Sequence, residues 1–198
     1  TKNDNYFVCM RLCSIQDNRF AYRKNVLPTS MHPSQAALIV SLAKPYLKET
    51  AQIMDPFCGV GTLLIERAHL VPAREIYATD TYGDAITMGR ENAALAKTRI
   101  NFIHRDFFDF RHDYKFDELI TDMPVRNRQT KAEMELFYER FFDKAAEHLV
   151  SGGIIVMYSN EIGFVKKQIR LRVEYRLLQE TCILDKKDFY LFVIRYED

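Results

Sequence analysis

The sequence predicts an α/β fold: a mostly parallel sheet with helices on both faces and an antiparallel hairpin at the end of the chain. Two observations set the class. From residue 51 onward, short apolar runs alternate with segments of helical periodicity, the rhythm of strand–helix–strand crossovers. The last part of the chain breaks that rhythm with two long strand-like runs in succession, 173–184 and 188–196. A third observation fixes the scale. With 198 residues, 47% of them hydrophobic, the chain can bury one substantial core and is too apolar to be disordered.

In order along the chain, residues 5–12 and 18–24 read as two short strands around the polar turn Gln16-Asp17-Asn18, so that 1–30 forms an N-terminal β-hairpin and linker. The main domain, 31–198, opens with Met31-His32-Pro33. Pro33 suits the first turn of a helix to about Leu47, because its missing N–H would have no helical partner there. Ala36, Leu38, Ile39, Leu42, Ala43 and Tyr46 recur along it at helical spacing. Strands follow at 51–55, 75–80, 100–104, 116–122 and 154–159, with helices at 61–70, 82–96, about 132–149 and 161–170 between them. Ser151-Gly152-Gly153 reads as a turn, and Asp185-Lys186-Lys187-Asp188 joins the closing hairpin.

Composition narrows the function classes. The formal net charge is +1, far less basic than a free-standing nucleic-acid binder, so any nucleic acid must be held by a local patch or by another domain. No apolar run reaches the roughly 18 residues of a membrane span, and a cytoplasmic protein without membrane contact is expected. Cys9, Cys13, Cys58 and Cys182 form no CxxC pair or zinc spacing and read as reduced thiols. His32, His69, His104, His112 and His148 are scattered, so no metal is expected. The chain begins with Thr1 and not Met, as a piece of a longer protein would.

Ligands on parallel sheets bind beyond the carboxyl ends of the strands, and the informative residues fall there. Asp55-Pro56-Phe57-Cys58-Gly59-Val60-Gly61-Thr62 follows the first strand and opens a helix; its glycines let backbone approach a ligand where a Cβ would block it. Alone, such a GxG is as readily a tight turn. Asp80, followed by Thr81, ends the second strand, where a carboxylate can accept hydrogen bonds from both ribose hydroxyls. Asp106 follows the third strand beside Phe107, placed to accept an adenine amino group while the ring packs on the base. A nicotinamide dinucleotide would prefer GxGxxG for its pyrophosphate, and Leu64 stands at the third glycine position. S-adenosylmethionine carries no phosphate, so the shorter glycine turn suffices, and its sulfonium activates the methyl group without a metal.

DPFCGVGT resembles the D-P-hydrophobic-C-G-S/T-G-T box of the RNA methylases often found behind a THUMP domain, the tRNA and rRNA guanine-N2 methyltransferases. Met31-His32-Pro33 and its helix are similar to that family's lead-in. The likeness runs from about residue 18 to 160 and is strongest over 31–66. It implies a Rossmann-like methyltransferase fold with a seven-stranded sheet, and Asp55, Gly59, Gly61, Asp80 and Asp106 around S-adenosylmethionine. Phe57, Thr62, Thr81, Phe107 and Asp122 complete the expected cofactor set. The family's position of Cys58 is a small loop residue, not a nucleophile. The likeness also implies tRNA or rRNA as substrate, found through an N-terminal RNA-binding domain expected to lie outside this chain.

The fourth strand ends in Thr121-Asp122-Met123-Pro124-Val125, which is similar to the [DNS]-P-P-[YFW] segment of amino-group methyltransferases. An exocyclic amine has its lone pair delocalised into the ring. A carboxylate or amide oxygen that accepts its protons aims the nitrogen and offsets developing charge. The chain keeps Asp122 and Pro124, the expected catalytic residues, but has Met123 for the first proline and Val125 for the aromatic. Phe20, Tyr22 and Phe107 are candidate substitutes for the stacking ring. Arg126 and Arg128, with Asn127 and Lys131, follow directly and are expected to contact phosphates; Arg19, Arg23 and Lys24 could extend that patch. The expected activity is methylation of guanine N2. The alternatives are another amino acceptor (adenine N6 or a protein amide), or a cofactor-binding RNA module without turnover, which the altered Met123 and Val125 suggest.

Overall fold

A computed structural model describes residues 18–184 and 188–198, together with Met10. Its seven strands are β1 (Gln52–Asp55), β2 (Glu75–Asp80), β3 (Asn101–His104), β4 (Phe116–Asp122), β5 (Leu149–Ser159), β6 (Tyr175–Leu184) and β7 (Phe189–Tyr196). They form one sheet in the order β3-β2-β1-β4-β5-β7-β6. The first five run parallel, and β7 inserts antiparallel between β5 and β6. The strand order reverses at β1, which pairs with β2 on one side and β4 on the other, and this opens a crevice at their carboxyl ends.

Helices α1 (Pro33–Ala43), α2 (Thr62–Leu70) and α3 (Gly83–Leu95) cover one face, and α4 (Lys131–His148) and α5 (Ile162–Leu171) the other. Strand alternation feeds both layers: Ile53 and Val156 pack with Ile39, Leu64 and Ile86, whereas Met54 and Ile155 pack with Phe141, Phe142 and Val165. The start of α4 is fixed by a capping box. Thr130 Oγ1 accepts from Glu133 N at 3.2 Å, and Glu133 Oε2 accepts from Thr130 N at 2.7 Å. A fully buried, bidentate ion pair joins α2 to β4: Arg67 Nε and Nη2 reach the two Glu118 oxygens, each at 2.8 Å.

The parallel sheet, its seven strands and the closing hairpin agree with the sequence expectation. Three local expectations are corrected. Residues 18–24 form successive turns instead of a strand, with Ala21 N donating to Asn18 O and Arg23 N to Phe20 O at 3.0 Å each. Tyr22 is drawn into the core there and donates to Glu66, which bends the segment. The other proposed strand, 5–12, with Cys9 and Cys13, lies outside the described residues. The first helix stops at Ala43 and tightens into a 3-10 turn over Lys44–Tyr46, because Pro45 has no N–H to continue the ladder. Ser151-Gly152-Gly153 is a bulge inside β5, which already begins at Leu149: Phe116 pairs with Leu149 but Glu118 pairs with Ile154, and Gly152 takes φ +77°. Among the described residues no helix is long and apolar enough to cross a membrane.

Candidate active site

The glycine loop is stitched to the strands on both sides. Asp55 ends β1 and accepts from Phe57 N through Oδ1 at 3.0 Å; Cys58 N donates to Thr79 O of β2 at 3.0 Å; Gly61 N closes the turn onto Cys58 O at 2.8 Å. Gly59 and Gly61 take φ +51° and +78°, where a β-carbon is strained. They do different work. A Cβ on Gly59 would meet nothing within 4 Å and would project into open space, the room a ligand needs. A Cβ on Gly61 would come within 2.8 Å of the buried Phe102 ring, so that glycine permits packing of the loop onto β3.

Asp80 anchors this loop. Its Oδ2 accepts from Gly59 N at 2.8 Å and its Oδ1 from Tyr82 N at 2.9 Å. A carboxylate offers about four acceptor directions, so each oxygen keeps a second one for a ligand hydroxyl.

The crevice encloses about 410 Å³. Asp55, Phe57, Gly59, Thr62, Asp80, Asp122 and Pro124 line it together, joined by Cys58, Val60, Met123 and Asn127. Gly61, Thr81, Asp106, Phe107, Arg126 and Arg128 do not. Asp106 is exposed and caps a short 3-10 turn by accepting from Phe108 N at 2.9 Å. Phe107 is 1% exposed and packs on Phe57, so its ring faces are closed to a base. The other two candidate rings are also committed elsewhere: Tyr22 is buried against Glu66, and Phe20 packs against the α1–α3 core. Arg126 lies 3.9 Å from Glu161, and Arg128 is exposed. Met123 is buried, with its N–H donating to Tyr158 O at 2.9 Å, and Val125 stands at the rim.

Two walls were illegible in the sequence. Tyr82, an exposed ring just beyond Asp80, lines the crevice. So do Leu27, Thr29, Ser30 and Met31, which cross its mouth as a strap. The strap is tied at both ends. Arg23 Nη2 donates to Met31 O at 3.0 Å, and the buried Asn92 of α3 accepts from Asn25 N at 3.0 Å and donates to Asn25 O at 2.8 Å. The signals for the strap in the sequence were its position before Pro33 and the likeness of Met31-His32-Pro33 to the family's lead-in.

The lining includes the carboxylates of Asp55, Asp80 and Asp122 and, among the described residues, no Lys, Arg or His. Burial pushes Asp55 up to about 8, against the opposing hydrogen bond from Phe57 N, and pushes Asp122 up to about 7. Burial, with Asp55 and Asp80 nearby, also raises the Cys58 thiol well above its ordinary range, which disfavours a thiolate nucleophile. The Thr62 hydroxyl, at the start of α2, is buried and has no hydrogen-bond partner among the described residues. An acidic crevice with an open glycine face and an orphaned hydroxyl fits S-adenosylmethionine, whose sulfonium and ammonium are cationic. It does not fit a pyrophosphate. Among the described residues no group of three His, Cys, Asp or Glu is placed to hold a metal.

The family model of RMKL-like methyltransferase domains matches residues 21–181. The chain is 31% identical over 187 residues to a tRNA (guanine(10)-N2)-dimethyltransferase of Methanothermobacter thermautotrophicus, covering 88% of this chain and 54% of that protein. It is 25% identical over 155 residues to a release factor glutamine methyltransferase of Lactococcus lactis, covering 69% and 56% respectively. The chain thus spans about half the length of these relatives. Among solved structures, TrmN from Thermus thermophilus superposes with a TM-score of 0.74 at 22% identity, over 90% of this chain and 52% of that one.

Proposed function

Since the chain belongs to the RMKL-like methyltransferase domain family, we propose that it transfers a methyl group from S-adenosylmethionine to the exocyclic N2 of a guanine in tRNA or rRNA. The crevice carries this reading: a cationic cofactor and an amine acceptor are both served by three carboxylates gathered at the ends of β1, β2 and β4. The Methanothermobacter relative, named for guanine N2 of tRNA, supports the choice of acceptor.

When bound, S-adenosylmethionine supplies an activated methyl group on its sulfonium. The residues divide the remaining work. Asp80 presents its free acceptor directions to the ribose hydroxyls, and the open face of Gly59 and the Thr62 hydroxyl receive the rest of the cofactor. Thr81 and Asp106, outside the crevice, are assigned to the ribose and adenine end. Phe107 supports the Phe57 ring from behind, with 5.9 Å between centroids. Asp122 accepts the amine protons and orients the nitrogen, with Pro124 fixing the turn beyond it. Tyr82 is the exposed ring available for stacking, a role the buried Phe107 does not fill. Arg126 and Arg128 flank the acceptor segment and meet phosphates beside the target base.

The test is incubation of the protein with isotopically labelled S-adenosylmethionine and undermodified tRNA or rRNA, followed by mass spectrometry of nucleosides. N2-methylguanosine is expected. Methyladenosine or labelled protein redirects the acceptor; the Lactococcus relative, named for release-factor glutamine, makes a protein amide the second reading. Tight cofactor binding with no product on any of these sustains a module without turnover.

A further inference from the structure

A second concavity, of about 440 Å³, lies at the opposite pole of the sheet, where β2 and β3 begin. Resting on the RNA reading above, we propose that this groove holds phosphates of the same RNA. Two loops build it, one leading from α2 into β2 and one from α3 into β3, and they bring Arg74, Lys97 and Arg99 to one lining with the polar His69, Thr98 and Asn101. All three cations are exposed, and among the described residues none of them forms an ion pair. Elsewhere on the surface some cations are matched, Lys166 with Glu180, Lys167 with Glu135 and Arg172 with Asp143, and others, such as Arg105 and Lys115, are exposed without an ion pair among the described residues; what sets Arg74, Lys97 and Arg99 apart is that they share one concavity. Glu75, the carboxylate in the groove lining, accepts a hydrogen bond from the Tyr77 hydroxyl at 2.8 Å.

Lys97 adds a second observation. It follows the end of α3 at φ +54°, the left-handed position of a helix-closing motif in which Thr98 N donates to Ala93 O at 2.9 Å and Lys97 N to Ala94 O at 3.1 Å. Glycine takes that position without strain, yet a lysine stands there and carries its charge to the groove. Two guanidinium forks and an ammonium around one concavity match phosphodiester oxygens.

The chain as a whole has a net charge of only +1, so RNA affinity has to come from such a local concentration. Arg126, beside the crevice, already has Glu161 near it. β2, at roughly 3.3 Å per residue, separates the two poles by about 15–20 Å, a span one structured RNA bridges.

The test compares the full chain with an Arg74→Gln/Lys97→Gln/Arg99→Gln variant in equilibrium binding of total tRNA over a salt series. Each lost phosphate contact should flatten the slope of log K against log salt by about 0.7–0.9, so the triple variant should lose about 2–3 units of slope. Affinity near 0.1 M salt should fall by at least about tenfold, with adenosylmethionine affinity and thermal midpoint unchanged. A single Lys97→Gly change separates binding from structure: it should leave the protein as stable or more so, and still lose close to one unit of slope. An unchanged slope in the triple variant overturns the groove, as does absence of RNA binding by the unaltered chain at low salt. Failure of the methylation reading looks different: no methylated guanosine, with RNA affinity and its dependence on these three residues intact.

Discussion

The two poles of the same parallel strands gather opposite kinds of ionisable side chain. At the carboxyl ends of β1, β2 and β4, the crevice gathers Asp55, Asp80 and Asp122 without a cation among the described lining; at the amino ends of β2 and β3, the groove gathers Arg74, Lys97 and Arg99 around Glu75. Strand direction alone does not impose this. Asp55 and Asp80 are tied to the glycine loop by backbone hydrogen bonds, whereas Arg74, Lys97 and Arg99 are exposed. The difference matches the two ligands proposed: a sulfonium and an amine at one pole, phosphates at the other. The poles also differ in construction. The acidic crevice is rigidified by backbone hydrogen bonds onto Asp55 and Asp80, and its strap is tied by Asn92, whereas the basic side chains of the groove are exposed and form no ion pair among the described residues.

The largest effect expected from breaking the acidic pole is on chemistry. Asp122→Ala should lower single-turnover methyl transfer by about 10²–10³-fold, the scale for losing one preorganised polar contact in a transition state. Cofactor affinity should stay within a few fold, because the role proposed for Asp122 is toward the acceptor amine. Asp122→Asn, which keeps one acceptor oxygen, should be milder. Transfer by Asp122→Ala at the unaltered rate would remove the amine-orienting role.

Next is cofactor binding. Asp80→Ala removes the ribose acceptor and the anchor of Gly59 N together. At roughly 1.5–3 kcal/mol for each hydrogen bond to a charged group, calorimetry should show a loss of about 10²-fold or more. RNA binding and its salt slope should not change, since the groove lies at the other pole. A parallel loss of RNA affinity would show that the two poles are not independent.

A third effect is on pH dependence. Asp55 at about 8 and Asp122 at about 7 both lie above the unfolded aspartate value near 3.9. Between about pH 4 and 8 the native state then binds more protons than the unfolded one, so the stability of the ligand-free protein should fall as pH rises through that window. A cationic cofactor favours the ionised carboxylates. Its binding should release protons, and affinity should rise from pH 6 to 8.5 by at most about tenfold per pH unit for each proton released, then level off. Thermal melts with and without adenosylmethionine at several pH values would check both signs. Asp55→Asn should flatten both profiles, and an affinity that falls with rising pH would contradict the acidic-crevice account.

Much of the acidic pole was legible in the sequence because its parts are local. An apolar run, a glycine turn and a helical period within a dozen residues announced β1, the loop and α2, and Asp80 and Asp122 could be read as strand ends from the same rhythm. The basic pole was not legible. Arg74 and Arg99 sit in two separate loops, and only the pairing of β2 with β3, Tyr77 opposite Asn101, brings those loops side by side. Side-chain direction was equally hidden. The position of Phe107 after β3 matched a base-stacking ring, but the aromatic layer beneath α4 claims it, since burying a whole ring there outweighs leaving one face open.

What the sequence by itself determined is therefore the class of fold, the order of its elements and the glycine loop at the crevice, all set by periodicity and turn chemistry over short stretches. Tertiary structure alone decided which of those residues face the same space. It folded 18–24 into turns, ran β5 through the 151–153 bulge, drew the strap 27–31 across the crevice and separated Gly59, open to the ligand, from Gly61, packed on Phe102. The reason is physical: these outcomes depend on strand register and on competition for core volume between residues tens of positions apart, quantities that no local pattern encodes.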